Sequence, residues 1–433
     1  MRRVAIVGGG AAGMAAAIAA AEGGACVTVL ERGRRALKKL SVTGNGRGNL
    51  LNSGPLEYYG DAAFAAKVLS AMPYRQLETF FARLGVPLVE EAEGRMYPAA
   101  FLAGVAVDAL QLRAKQLKVR METNVRVTAI RRAGGGFVLE GLRASYAPDA
   151  PRKSGKLKPG ALLGEEPTRM EADGVIVAAG GAAAPMHGTD GGAYALMTAL
   201  GHTLVTPRPA LCALLTEEAP IAGLSGQRVR AALTLTDARG APLRRTSGEA
   251  LFAQDGVSGI AAMQLSRFVT PGCMLSLDMR PGVMGRADGD APAWLARLAG
   301  ARENLPLSEW LTGAAAPALN AAIVRAAGLA PLSRERIGDA LLRRPDAPRA
   351  LAQALCGLRL KVLGTRGFES AQVTAGGVRA AEFDPLTLQS RLCPGLCAAG
   401  EILDVDGGCG GYNLMFAFAS GLLAGRFQAG AAK

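Results

Sequence analysis

Val4-Ala5-Ile6-Val7-Gly8-Gly9-Gly10-Ala11-Ala12-Gly13 decides the fold: four apolar residues run straight into a glycine turn, and an alanine-rich segment behind it opens a helix. In a strand-turn-helix unit of this kind Gly8 permits the tight turn and Gly10 lets backbone amides approach a pyrophosphate with no side chain between. Gly13 lets the helix pack close to the strand. The helix start at Ala11 and Ala12 adds unpaired N–H groups and a partial positive charge facing the phosphates. A second strand, Ala25 to Leu30, ends on Glu31, 21 positions after Gly10. A carboxylate there accepts both ribose hydroxyls and repels a 2′-phosphate, so the adenosine it favours is that of FAD or NAD. Arg2 and Arg3 ahead of an apolar run also resemble the start of a secretory leader, but three consecutive glycines and Glu22 break that run.

Directly after Glu31 comes a basic group, Arg32, Arg34, Arg35, Lys38 and Lys39, of which Arg32 and Lys39 are candidates to neutralise a pyrophosphate. The stretch from Lys39 and Leu40 through Ser41, Thr43, Gly44, Asn45, Gly46, Arg47 and Asn49 is too glycine-rich for a helix interior. Its hydroxyls, amides and pliable backbone suit a chain that lies along a cofactor's phosphates and ring. Helical patterns follow at 62–84 and 102–118. From 119 to 141 the pattern alternates, with Val125 a further candidate cofactor contact, and a loop is expected through Pro167. Asp173 to Val177 is again a continuous apolar strand, ending in Ala178, Ala179, Gly180 and Gly181, where small residues let the chain approach a flat group.

Residues 193–365 change character. Val229, Ala231, Leu233 and Leu235 alternate with polar neighbours, as antiparallel strands require, and 291–358 reads as helical, giving a small β domain with a helical cap. Dinucleotide-fold material then returns with Val373-Thr374-Ala375-Gly376-Gly377-Val378 and with a strand ending in Gly400-Glu401. Gly407 to Gly411 then lead into Tyr412, Asn413, Leu414 and a long apolar helix. Glu401 suits ribityl hydroxyls, and the helix start near Tyr412 suits the flavin N1 and O2, where negative charge gathers on reduction. The expected divisions are 1–192 and 366–433 for the two parts of the dinucleotide domain, 193–285 for the β insert and 286–365 for the helical cap.

The composition narrows the function classes. A 433-residue chain that is 50% hydrophobic has room for two or three packed domains. No run reaches the roughly 18 apolar residues of a membrane span. Seven scattered cysteines show neither a disulfide framework nor zinc spacing, which points to reduced thiols and a cytoplasmic location. Two histidines, His187 and His202, give little support to a metal site or a serine-histidine hydrolase. The net charge of +13 is spread along the chain, with a second cluster at Arg152, Lys153, Lys156 and Lys158, and only 5% aromatic residues leave few base-stacking platforms. Nucleic acid is therefore not the expected partner.

With both ends considered, the chain resembles the bacterial BaiN-like flavoproteins, also called the aminoacetone oxidase family, over nearly its whole length. The specific segments are Ser41 to Leu50, Val373 to Val378, Gly400 to Gly407 and Gly410 to Leu414, with Gly256 to Gly259 and Gln264 to Arg267 in the insert. In this chain Gly48 stands where the family carries a cysteine, and Asn45 where glycine is common. The resemblance implies an α/β fold: a Rossmann-like FAD-binding domain interrupted by an antiparallel β-barrel plus helical domain, with non-covalent FAD. It implies an oxidoreductase passing a hydride between flavin and a small organic molecule held between the FAD domain and the insert, including reduction of conjugated double bonds in steroid- or bile-acid-like enones.

No second complete glycine fingerprint is visible, so NAD(P)H, if it is the donor, docks transiently. The alternatives are an amine oxidase using oxygen, an RNA-modifying flavoprotein and a non-catalytic flavin redox sensor. Tyr97, Arg47, Tyr412 and Asp404 are candidates to donate or orient protons, and no catalytic residue is assigned. The oligomeric state is left open.

Overall fold

The computed structural model describes residues 1–151, 157–158, 160–285 and 289–430. The chain divides into two compact units, Met1–Arg208 with Val373–Lys433, and Pro209–Gln372.

The first unit is built on a five-stranded parallel sheet, in the order Leu396–Ala398, Gly174–Val177, Arg3–Val7, Cys26–Leu30, Arg120–Glu122. Val4, Ala5 and Ile6 are completely buried. That is why these strands read as continuous apolar runs: a parallel sheet has both faces covered. The helix Ala11–Glu22 is buried from Ala12 through Ala20 and lies against the final helix, Tyr412–Gln428. Their approach is close because the crossing residues are small. A Cβ at Gly421 would stand 2.3 Å from the Ala12 carbonyl oxygen, and one at Gly425 2.3 Å from that of Ala16.

A three-stranded antiparallel sheet, in the order Leu162–Ala172, Gly136–Tyr146, Val125–Ala133, is attached to this core. Two expectations are corrected here. Arg120–Glu122, expected to belong with the alternating stretch that runs to 141, is instead the edge of the parallel sheet. The expected loop through Pro167 is a strand from Leu162 onward, with Pro167 opposite Leu142. This strand is on the edge of its sheet, a position where proline is tolerated, so the proline that suggested a loop does not break it. Of the second basic cluster, Arg152, Lys153 and Lys156 lie outside the described residues.

The second unit is a closed six-stranded antiparallel barrel, in the order Leu214–Thr216, Gly256–Ser258, Pro242–Ala253, Arg228–Thr236, Met274–Asp278, Leu358–Thr365. Val229, Ala231, Leu233 and Leu235 point inward with Leu275, Leu277, Leu358 and Leu360. Closure leaves no edge strand unpaired. Between its last two strands the helices Ala291–Gly300, Pro317–Ala326, Ile337–Arg343 and Ala347–Cys356 pack around Trp310, whose indole N–H donates to the Leu295 carbonyl at 3.1 Å.

The first compact unit runs on past the expected division at 193 to Arg208 and resumes at Val373, a few residues after the expected 366. The helix Tyr194–Ala199 and the residues up to Arg208 stay with the first unit because they pack on the returning chain. There the Arg379 N–H donates to the Thr203 carbonyl at 2.9 Å, and Gly376 lies against the Thr206 carbonyl.

Candidate cofactor site

The three fingerprint glycines have three different surroundings. Gly8 has φ +103°, and a Cβ there would stand 2.6 Å from the Ala178 carbonyl oxygen; one at Gly13 would stand 1.9 Å from the Gly8 carbonyl oxygen. Both positions are closed to any side chain by the fold itself. Gly10, the N-cap of the first helix, has nothing within 4 Å of where its Cβ would be. Its lack of a side chain leaves an open approach to the first-turn amides, which is the arrangement a pyrophosphate needs. Ala11 is half-buried on that turn, whereas Ala12 is buried and directed at Gly400 and Gly421 of the returning chain.

Glu31 ties the turn together. Its Oε2 accepts from the Gly9 N–H at 2.7 Å and its Oε1 from the Gly33 N–H at 2.6 Å. Burial pushes its carboxyl above the ordinary glutamate range, against the pull of those two amides and of Arg32. A half-buried carboxylate held by two backbone donors still has lone pairs for ribose hydroxyls. Val125 lies beside it, its N–H donating to the Glu31 carbonyl at 2.9 Å. Arg32 is turned toward residues 188–190: its Nε donates to the Gly188 carbonyl at 2.8 Å and it pairs with Asp190 at 2.7 Å.

From Leu40 to Gly46 the chain makes two short turns divided by a kink at Thr43, with Gly44 and Asn45 in the left-handed region. Leu40 is buried. Ser41 is exposed and donates to the Lys38 carbonyl at 2.8 Å. Gly48, where the family carries cysteine, has φ +82°, and a Cβ would stand 3.0 Å from Ala103 Cα, so glycine suits the backbone this chain adopts. Arg47 is ion-paired with Glu91 at 2.7 Å, with its guanidinium 4.6 Å from the ring centres of both Tyr97 and Phe101.

Distant segments meet at three points. The Lys39 Nζ pairs with Glu401 Oε2 at 2.8 Å. Asn49, in the amide orientation that satisfies its neighbours, accepts from the Gly411 N–H at 3.3 Å and donates to the Leu51 carbonyl at 3.2 Å. Asn52, which the sequence did not single out, donates to the Gly410 carbonyl at 2.8 Å. Thr374, also missed as a site residue, is the hub. Its Oγ1 accepts from the Ala182 and Ala183 N–H groups at 2.8 and 3.0 Å and donates to Glu401 Oε1 at 3.0 Å. Ala179 and Gly180 lead into this hub, and a Cβ at Gly181 would fall 2.4 Å from Thr374 Oγ1. Gly377 has φ +135° and lies against the Ile402 carbonyl.

Gly411 caps the last helix in the left-handed region, with a Cβ position only 2.3 Å from the Leu51 carbonyl oxygen. Asn413 braces the entry by accepting from the Gly407 N–H at 2.8 Å, and Leu414 is half-buried in the first turn. The Tyr412 hydroxyl donates to the Pro55 carbonyl at 2.9 Å, while the Tyr58 hydroxyl donates to the Tyr412 carbonyl at 2.8 Å. The Asp404 carboxyl, like that of Glu31, is pushed up, by burial and by the nearby Asp61, with Arg379 and Arg208 opposing.

A Ser-His-Glu arrangement also exists, which the histidine count did not suggest. His202 contacts Glu382 through Nδ1 at 2.8 Å and Ser390 through Nε2 at 3.0 Å. The Ser390 Oγ is buried and accepts from the Leu392 and Cys393 N–H groups at 3.1 and 2.8 Å. With its lone pairs so engaged it clamps a turn rather than attacking a substrate. No group of three or more potential metal ligands occurs among the described residues. No helix among them is long and apolar enough to cross a membrane.

An open helix N-terminus at Gly10, a half-buried acid at the end of the second strand and a second glycine-capped helix tied to the first segment are the parts a flavin dinucleotide requires, and these residues fit FAD. The sequence matches the family described as HI0933-like protein Rossmann domain over residues 2–147 and 155–427. A Clostridium scindens protein, 3-dehydro-bile acid delta(4,6)-reductase, is 36% identical over 439 residues, covering 99% of each chain. An Escherichia coli protein, ribosomal RNA dihydrouridine synthase, is 26% identical over 96% of this chain and 95% of its own. Among solved structures, the 3-ketosteroid delta1-dehydrogenase of Sterolibacterium denitrificans aligns over 100% of both chains with TM-score 0.50 and 13% identity, a likeness of fold. The chain therefore belongs to the HI0933-like Rossmann family and is an FAD-binding flavoprotein oxidoreductase.

Proposed function

We propose that the protein reduces a carbon–carbon double bond conjugated to a carbonyl in a small steroid- or bile-acid-like enone, with NAD(P)H docking transiently as reductant. The observation carrying this reading is the end-to-end similarity to the Clostridium scindens reductase. Bound FAD supplies the two-electron chemistry: a hydride goes to the carbon β to the carbonyl, a proton to the α carbon, and NAD(P)H restores the reduced cofactor. The protein's part is to hold the dinucleotide through Gly10, Glu31 and Glu401 and to supply the proton. Asp404 suits that supply, since a carboxyl with a raised pKa keeps its proton nearer to neutrality. Anaerobic titration with NADH and NADPH, followed by addition of a 3-oxo-Δ4 steroid, tests the reading. Bleaching of the flavin by one nicotinamide and recovery of colour with the enone is the expected result. Bleaching by an amine alone would replace the reading with that of an amine oxidase.

A second reading is favoured by the Escherichia coli relative: reduction of a uracil ring in RNA, where the double bond reduced is again conjugated to a carbonyl. The barrel's outer face supports it. Arg245 stands opposite Thr234, Thr234 opposite Ser276, and Ser276 opposite Arg359, with exposed Lys361 in the next row. Cations interleaved with hydroxyls suit backbone phosphates. If RNA is the substrate, Arg245→Glu with Arg359→Glu lowers turnover on RNA and leaves reduction of a free enone unchanged.

A further inference from the structure

Tyr194 opens the helix Tyr194–Ala199 and is only 6% exposed. Its phenol oxygen is buried and makes no hydrogen bond of good geometry among the described residues, although the Thr374 hydroxyl lies near enough to favour its ionised form slightly. The groups around it are those of the cofactor hub: the Thr374 hydroxyl, with the carboxylates of Glu401 and Asp404 close enough to act on its charge.

Thr374 cannot serve as the missing partner. Its oxygen already accepts from two backbone N–H groups, and its proton is directed at Glu401 Oε1. Glu401 gives it no hydrogen bond either: Oε1 is filled by the Thr374 N–H and hydroxyl, and Oε2, paired with Lys39, keeps a lone pair for the ligand. Burial and the two nearby carboxylates both disfavour a phenolate, so Tyr194 is a neutral O–H donor at any physiological pH. Native proteins rarely leave a buried donor unpaired, and the exceptions cluster where a ligand or water completes the set.

We propose that the Tyr194 phenol donates a hydrogen bond to an acceptor oxygen of the ligand seated against Glu401, which makes Tyr194 a ligand-positioning residue of the site. The inference rests on the FAD reading of that site. Two sources can offer the acceptor, the flavin end of FAD and the carbonyl of an enone, and they are separable by measurement.

The experiment compares the full-length wild type with Tyr194→Phe, which removes one oxygen and keeps the ring. Three quantities are read: the melting temperature of the cofactor-free protein, the Kd for FAD with the flavin midpoint potential, and the Kd for a 3-oxo-Δ4 steroid on the FAD-loaded protein. Because the phenol has no internal partner, the cofactor-free variant should melt at or above the wild-type temperature. A roughly tenfold weaker Kd for FAD, about 1.4 kcal/mol, with a displaced midpoint potential, assigns the acceptor to the flavin. The same loss in steroid affinity, with FAD binding intact, assigns it to the substrate carbonyl. The proposal is overturned if the cofactor-free variant melts lower while both affinities hold, which would mean an internal bond. It is overturned equally if nothing changes, which would mean that a water satisfies the phenol. Wild-type protein that takes up no FAD would instead remove the cofactor reading itself, so the two failures are distinct.

Discussion

Glu31 is the residue on which the cofactor reading is most directly tested. Its carboxyl is raised by burial, so folding makes protonation easier, whereas ribose hydroxyls prefer to donate to the ionised form. The two preferences set the sign. In the cofactor-free protein this group's contribution to stability is present at low pH and declines as pH rises past the ordinary glutamate value through the raised one. FAD affinity runs the other way, strengthening over the same interval, and release of fluorescent flavin on acidification measures it. Glu31→Gln should weaken FAD binding roughly ten- to a hundredfold, corresponding to about 1.5–3 kcal/mol for hydrogen bonds to a charged group, and flatten the pH dependence. Cys397 gives an independent check. Burial pushes its thiol up to about 12 despite a contact from Gln428, so it should resist alkylation in the native protein while exposed Cys26 reacts, as peptide mapping after brief labelling would report.

The first and last helices depend on glycine where they cross. Gly421→Ala places a methyl carbon 2.3 Å from the Ala12 carbonyl oxygen, backbone that cannot swing aside. The expected cost is about 1–3 kcal/mol in chemical denaturation, accompanied by weaker FAD binding because Ala12 follows the phosphate turn. Much at this scale was legible in the sequence. The apolar run before Gly8, the acid after Leu30 and the alternation from Val229 to Leu235 each express a period or a spacing that one element fixes by itself. Pro167 was misread for the converse reason: whether a proline breaks a strand depends on whether that strand lies at the edge of its sheet, and neighbouring strands decide that. Thr374 and Asn52 escaped notice because their polar atoms act on chain hundreds of positions away, for which local pattern carries no signal.

At the scale of the molecule there are two separate cores, one around the parallel sheet and one filling the barrel and its helices. A ligand held by residues of the first unit stabilises that unit by mass action, about 2.7 kcal/mol at a hundredfold excess over Kd. Calorimetry of the cofactor-free protein should therefore resolve two transitions, and FAD should shift only the one belonging to the first unit. A single transition that moves as a whole would contradict this. The helix Tyr194–Ala199 goes with the first unit through its packing on the returning strand, a long-range contact that local pattern does not encode.

The Lys39 to Glu401 ion pair has a temporal meaning. During synthesis, at roughly 5–20 residues per second, the barrel and its helices emerge complete while the nucleotide pocket still lacks its far wall. A nascent chain can fold its middle before its beginning has anything to close upon. Flavin capture is thereby deferred until the segment around Glu401 has emerged from the ribosome, and polypeptides that stall before it should accumulate as colourless, half-built species.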